Sequence, residues 1–327
     1  MHKRTFFARI FAAVSGSVIA VAASTASAQE WPTKPIRIIV SFAPGGLTDT
    51  IARALQARLQ EGFGQPVVIE NRPGAGGTLA EGLLAKAPAD GYTILLSADS
   101  VPANPHLMQN LPYDTFKDLL PVSMLARIPL VMLVNSTVPA STVREFVSYA
   151  KTGGVKASYG SPGTGTSNHL YFEVFKDLTN IDPPHVAYKG GGPAMTDLMG
   201  GHIQALLISS TLAVPQVIGG KVKALAVTSD KRLAQLPNVP TFAEAGFSDF
   251  KPQQWTGLFV PAGTPTAIVA RIHGEFAKAL KAPDVVTRLS DLNAELVMSS
   301  QADFANHLRS ENQTLGRLIK AKGIKAQ

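Results

Sequence analysis

The chain has 327 residues, 45% of them hydrophobic, a formal charge of +7 and no cysteine. The missing thiols exclude thiolate zinc sites, thiol redox chemistry and cysteine nucleophiles. The positive charge is mild and no basic run is interleaved with aromatics, so a nucleic-acid footprint is lacking. A chain of this length buries enough apolar surface to fold without disulfides, as one large domain or two smaller ones.

The first residues read as an export leader. Lys3, Arg4 and Arg9 form a basic start, Ile10–Ala23 is a short run rich in small apolar residues, and Ala26-Ser27-Ala28 offers the small-x-small pattern of signal peptidase. Cleavage after Ala28 is expected, and the run is too short and too rich in Ala and Ser for a membrane span. Loss of the three basic residues lowers the formal charge from +7 to +4. The product is expected to be exported, free of the membrane and monomeric.

After the leader, strand and helix patterns alternate, which predicts parallel sheet flanked by helices. Ile36–Phe42 is apolar and β-branched, and Ile51, Leu55, Leu59 and Phe63 then recur at helical spacing. Pro66–Glu70 reads as a strand, Asn71–Gly77 as a Gly-rich turn and Thr78–Lys86 as a helix, with Thr78 and Glu81 in capping-box register. Asp90-Gly91 is a turn before the strand Tyr92–Ser97, and Ala103-Asn104-Pro105 opens a loop or short helix.

Val122–Val134 is a long apolar segment broken by Arg127 and Pro129, as expected of a strand that leaves one sheet and enters another. A second series follows: a helix capped by Thr142 and Glu145, a strand at Val155–Tyr159, and a turn at Gly160–Ser167. A helix at Asn168–Leu178 follows, with Leu170, Val174, Phe175 and Leu178 facing inward. Strands are expected at His185–Tyr188, Ile203–Ser209 and Val222–Ser229, and a short helix is expected to run from the Gly190–Pro193 turn to Met199. Leu236–Phe250 has little period and reads as a crossing loop, and Trp255–Pro261 as a strand. From Thr266 the chain is mostly helical, at Ala267–Lys281, Asp284–Leu292 and Gln301–Lys322, with a strand near Glu295–Met298. This order suits two interleaved domains, residues 29–126 with 254–327 and residues 127–253.

Three turns share one construction: Ala43–Thr48, Gly74–Thr78 and Gly160–Ser167 each follow a predicted strand, precede a predicted helix and end in hydroxyl residues. Such a turn aims backbone N–H groups and the positive end of a helix at one point, which suits an anion. In open α/β sheets, ligands sit at this edge of the strands. Asp49 is either a ligand acceptor or a cap for its own helix. His169, in the first helical turn after Gly160–Ser167, either faces the cleft or holds the loop. Lys189 either adds charge to the cleft or sits on the surface, and Phe42 and Trp255 floor a pocket or fill a core.

Enzymatic patterns are missing. No turn carries the Gly-Lys-Ser/Thr of a P-loop, no Gly-x-Ser-x-Gly elbow exists, and neither Gly-x-Gly pair has the third glycine of a dinucleotide fingerprint. The histidines lack metal spacing. No metal, no cofactor and no catalytic residue is therefore assigned, and a secreted α/β enzyme is the disfavoured reading.

The succession APGGLTDTIAR (43–53), ENRPGAGG (70–77), ADGYTILL (89–96), GSPGTGTSNHL (160–170), YKGGGPAMTDLMGGHI (188–203), LPNVPTFAEAGF (236–247) and WTGLFVPAGTP (255–265) resembles the Bug family. These are periplasmic solute-binding proteins of tripartite tricarboxylate transporters, and the likeness runs through the whole mature chain in order. It implies a type II periplasmic-binding-protein fold of two α/β domains with the ligand between them. It further implies a small carboxylate as cargo (organic acid, di- or tricarboxylate, acidic amino acid or aromatic acid) and membrane transporter subunits as partners. A ligand sensor that signals to a membrane receptor is the alternative. Carried over by position, the implied ligand-binding residues are Ala43, Pro44, Gly45, Gly46 and Asp49 on one wall and Thr164, Gly165, Thr166, Ser167 and His169 on the other. Phe42, Thr48, Gly76, Gly77, Ser97 and Lys189 are further candidates. Ala187 departs from the proline expected before Tyr188, and residues 250–252 differ from the usual wording.

Overall fold

The computed structural model describes residues 31–152, 157–290 and 293–325. The expected leader and its cleavage point, Val155 of the expected strand at 155–159, and Leu292 at the end of the expected helix from 284 lie outside the described residues.

In chain order the elements begin β1 (Ile36–Val40), α1 (Leu47–Phe63), β2 (Val67–Asn71), a single 3₁₀ turn (Ala75–Gly77), α2 (Thr78–Ala85) and β3 (Thr93–Ala98). Short helices α3 (Asn104–Leu107) and α4 (Thr115–Asp118) lead into the long strand β4 (Leu119–Asn135). Then come α5 (Val143–Lys151), β5 (Tyr159–Ser161), α6 (Ser167–Thr179), β6 (His185–Ala187), α7 (Gly191–Met199), β7 (Ala205–Ser209), α8 (Ser210–Ile218) and β8 (Val222–Val227). β9 (Gln253–Pro261), α9 (Thr266–Leu280), α10 (Pro283–Ser290), β10 (Glu295–Leu296) and α11 (Gln301–Lys322) complete the chain.

The strands join in the order β2-β1-β3-β9-β4-β7-β5-β6, with β8 and β10 also on β4. The βα units pair in parallel, β1 with β2 and β3, β5 with β6 and β7. The expectation of parallel sheet needs one correction: β4 and β9 run antiparallel to each other and to their neighbours. Both arrive after crossing from elsewhere and not after a right-handed βαβ return, so nothing forces them parallel.

β4 changes partners along its length. Residues up to Pro129 pair with β9, whereas Leu130–Val134 pair with β7. Pro129 has no N–H to give, and it sits where one ladder ends and the next begins. Past that point the strand alternates strictly. Leu130, Met132 and Val134 enter one core with Phe146, Phe172 and Phe175, while Val131 and Leu133 enter another with Leu198, Leu206 and Ile208. Helices therefore cover both faces, as a buried mixed sheet requires. A third core joins Ile39, Leu95, Met124, Trp255, Phe259 and Phe304 near the other end of β4.

Two local expectations are corrected. Thr142 caps α5, its Oγ1 accepting the N–H of Glu145 at 3.1 Å, while Glu145 Oε2 reaches one residue beyond the N-cap and accepts the N–H of Ser141 at 2.6 Å. Thr78 and Glu81 have the same spacing but do not cap. Gly77 is the N-cap of α2, in the left-handed region at φ 97°. Glu81 instead lies fully buried and accepts from the Tyr113 hydroxyl at 2.6 Å and from Asn104 Nδ2 at 3.0 Å. Leu178, expected inward, is 49% exposed.

Candidate functional site

Two of the three glycine turns are built alike in detail. Gly45 and Gly165 stand one residue before the N-caps of α1 and α6, at φ +81° and +80°. That left-handed conformation turns each N–H back toward the helix, at little cost only for glycine. The Gly45 N–H donates to Asp49 Oδ2 at 2.9 Å, and the Gly165 N–H donates to His169 Nδ1 at 3.0 Å. Each acceptor is the third residue of its helix, so the same N–H, four residues before it, is satisfied in both turns.

The surroundings of the two acceptors differ. Asp49 also accepts from Arg53 Nε at 3.0 Å and Asn71 Nδ2 at 2.9 Å, and Asn71 donates in addition to the Phe42 carbonyl at 3.0 Å. Burial raises its pKa, but the bonds from Arg53, Gly45 and Asn71 outweigh that and hold it below the usual value. His169 stacks on His185 with ring centroids 3.9 Å apart, and Tyr159 lies on Phe172 at 3.8 Å beside them. Burial, and then the neighbouring His185, lower the His169 pKa to about 4, so the ring is neutral with Nδ1 free to accept.

The third turn is held from α3. Asn104 Nδ2 donates to the Gly76 carbonyl at 3.3 Å while bonded to Glu81. Burial lifts the Glu81 pKa to about 7, with the Tyr113 and Asn104 bonds opposing.

These turns open on a cavity of about 610 Å³, in the range of small-molecule sites. Of the residues proposed from sequence, Phe42, Gly46, Thr48, Gly76, Thr164, Gly165, Thr166, Ser167 and Lys189 line it. Ala43, Pro44 and Gly45 lie on the exposed outer edge of the first turn. Gly77, Ser97, Asp49 and His169 lie behind the wall, Ser97 accepting the Ser41 hydroxyl at 2.9 Å.

Sequence reasoning missed other lining residues. Asp99 and Ser100 follow β3 at the carboxyl edge of the sheet, where a binding loop is expected. Tyr188, Gly191, Ser209 and Gln254 come from β-strand ends and helix starts whose convergence no local pattern reveals. Trp255 lines the cavity too, its Nε1 anchored on Glu311 Oε2 at 2.9 Å.

The helix starts are the main chemical asset. Gly46 of α1, Gly190 of α7 and Ser209 of α8 provide no side-chain cap, so the first N–H groups of these helices are not met by their N-cap residues. Thr166 caps α6 through only one N–H, that of His169, at 3.4 Å. Residues from all four starts line the cavity. Lys189 and Asp99 are the only lysine, arginine, aspartate or glutamate residues along its wall among the described residues. Among the described residues no cluster of three or more His, Asp or Glu side chains is placed to hold a metal, and no helix is long and apolar enough to cross a membrane.

The profile of the tripartite tricarboxylate transporter family receptor (TctC) matches residues 51–324. The chain belongs to that family. The receptor is 34% identical to protein BugT of Bordetella pertussis over 96% of its own length and 97% of BugT. Its fold is similar to that of an R. palustris protein with adipate, at 34% identity and TM-score 0.76, covering 90% of this chain and 99% of the other. It is also similar to MatC from Rhodopseudomonas palustris with bound malate, at 34% identity and TM-score 0.73, covering 88% and 100%. The receptor therefore has the α/β fold of type II periplasmic binding proteins, and its family and structural neighbours are solute-binding proteins, not enzymes.

Proposed function

We propose that this receptor works in the periplasm, takes a small carboxylate into the 610 Å³ cavity and hands it to a membrane transporter. The observation that carries the reading is the convergence of four helix N-termini, α1, α6, α7 and α8, on one cavity. Each N-terminus carries roughly half a positive charge and free N–H donors. Hydrogen bonds to a charged group contribute about 1.5–3 kcal/mol each, and micromolar affinity needs about −8 kcal/mol. A handful of backbone donors therefore suffices without an arginine.

In this reading Gly46, Thr48 and Gly76 form one wall, Thr164–Ser167 the other, and Lys189 adds positive charge at an exposed position. Asp49 and His169 hold the turns from behind. The walls belong to two domains, 29–126 with 254–327 and 127–253, which close on the ligand about the shared strands β4 and β9. The similar structures with adipate and with bound malate support an organic acid as cargo.

Isothermal titration of the protein from Gln29 onward against a panel of mono-, di- and tricarboxylates and amino acids tests this. Saturable micromolar or tighter binding of at least one acid is expected. Failure of every carboxylate, with binding of a sugar or a simple cation, would overturn the reading.

A further inference from the structure

Asp99 has no role in the scheme above, yet it lines the cavity. It is 7% exposed, and its Oδ2 has no hydrogen-bond partner. A desolvated carboxyl without a cation is an expensive arrangement, and buried charges are ordinarily paired. The groups acting on it from neighbouring elements do not supply the missing charge. From α6 the Ser167 hydroxyl gives partial relief and the Tyr171 phenol is close enough to feel its charge; from α11 Glu311 adds a second negative charge. Glu311 is itself occupied, accepting from Tyr171 at 2.9 Å and from Trp255 Nε1 at 2.9 Å. The one lysine on the cavity wall, Lys189, is exposed.

An inner wall with Asp99 and Glu311 behind it suits a ligand cation, whereas a plain second carboxylate would be repelled there. Asp99 also adjoins Ser167, the first residue of α6 and part of the turn proposed to grip the carboxylate. In an α-amino acid a single carbon separates ammonium from carboxylate, which matches two subsites placed side by side. We infer that Asp99 selects a carboxylate carrying a protonated amine, an amino acid, by pairing with its ammonium group. This rests on the carboxylate-receptor reading and narrows its ligand class.

Burial, followed by the opposing Ser167 bond and the charge of Glu311, puts the Asp99 pKa at about 7. The empty site is then partly protonated at neutral pH. When an ammonium enters, Asp99 loses that proton to solvent and the ion pair forms. Amino-acid binding therefore releases protons and tightens about ten-fold from pH 6 to pH 8. A dicarboxylate placed there would instead take protons up and weaken as pH rises.

The test is calorimetric titration of the protein from Gln29 onward with matched pairs, L-glutamate against glutarate and L-aspartate against succinate, in buffers of different ionisation enthalpy. The expected result is that one amine-bearing member binds at least ten-fold tighter than its partner, with proton release. Asp99→Asn should remove that preference while leaving the des-amino acid bound equally or better. The proton count on the unmodified protein stands even if the variant fails to fold. Equal or tighter binding of the des-amino acids, or proton uptake, overturns the assignment of Asp99 and leaves the carboxylate reading intact. Binding of neither member of either pair, nor of any other amino acid, while another carboxylate binds, has the same effect. Binding of no carboxylate at all overturns both.

Discussion

Asp49 and His169 occupy the third position of α1 and α6 and accept the N–H of the glycine four residues before them. The two acceptors differ in what acid does to them. A protonated imidazole has no acceptor left, so His169 can hold Gly165 only while neutral. Its folded pKa of about 4 lies below the value near 6.5 of an unfolded histidine, so the unfolded chain takes the proton first. Stability from this group is complete above pH 6.5 and declines by up to about 1.4 kcal/mol per pH unit as pH falls toward 4. His185, lowered mainly by burial, acts in the same direction. Urea unfolding at pH 7 and pH 4.5 should show the loss, and His169→Gln should flatten it while keeping an acceptor for Gly165. An unchanged slope in that variant would refute the role of His169. The residue types at both turns were legible in the sequence, but whether each faced the ligand or the loop was open. That depends on Asn71 and His185, which only folding brings alongside.

At the scale of elements, β9 and β4 carry the connection between the two runs of βα units, and β9 is pinned by a glycine. A side chain at Gly257 would place its Cβ 2.3 Å from the tip of the Phe304 ring, which is fully buried. Gly257→Ala should therefore destabilise by about 1–3 kcal/mol through overpacking. Adding Phe304→Leu should recover part of the loss, a coupling that thermal or urea unfolding of the single and double variants will reveal. Additive losses would mean that the strand shifts away from α11 instead. Most elements were legible because their periods are strong: α1, β4 and α11 fall close to where apolar spacing put them. The capping box at Thr78 was misleading. Glu81 found Tyr113 and Asn104 in the core, and a buried carboxyl is held by such partners more firmly than by one exposed N–H.

Across the whole chain, α11 reaches from the β9 side to α6. Phe304 packs on Trp255 and Phe259 near its start, while Lys322 at its end pairs with Glu173 at 3.1 Å and Asp177 at 2.7 Å on α6. Glu173 is almost fully buried and also holds Lys176 at 2.8 Å and the Tyr159 hydroxyl at 2.6 Å. Any closure of the proposed domains must bend β4 and β9 while keeping or breaking this link. Small-angle scattering should show a smaller radius of gyration with a saturating ligand than without it. An unchanged radius would argue against closure and for a preformed cleft.

The sequence by itself determined the alternation of strands and helices, the three glycine turns, the absence of thiol chemistry, and, through its motifs in order, the family. These are local properties, set by period, turn chemistry and residue type within a few positions. The antiparallel course of β4 and β9, the convergence of four helix starts on one cavity, the duties of Glu81, Asp49 and His169, and the lone carboxyl of Asp99 were decided by tertiary structure. Each depends on groups distant in the chain, and burial changes what a carboxylate or an imidazole can do once water is removed.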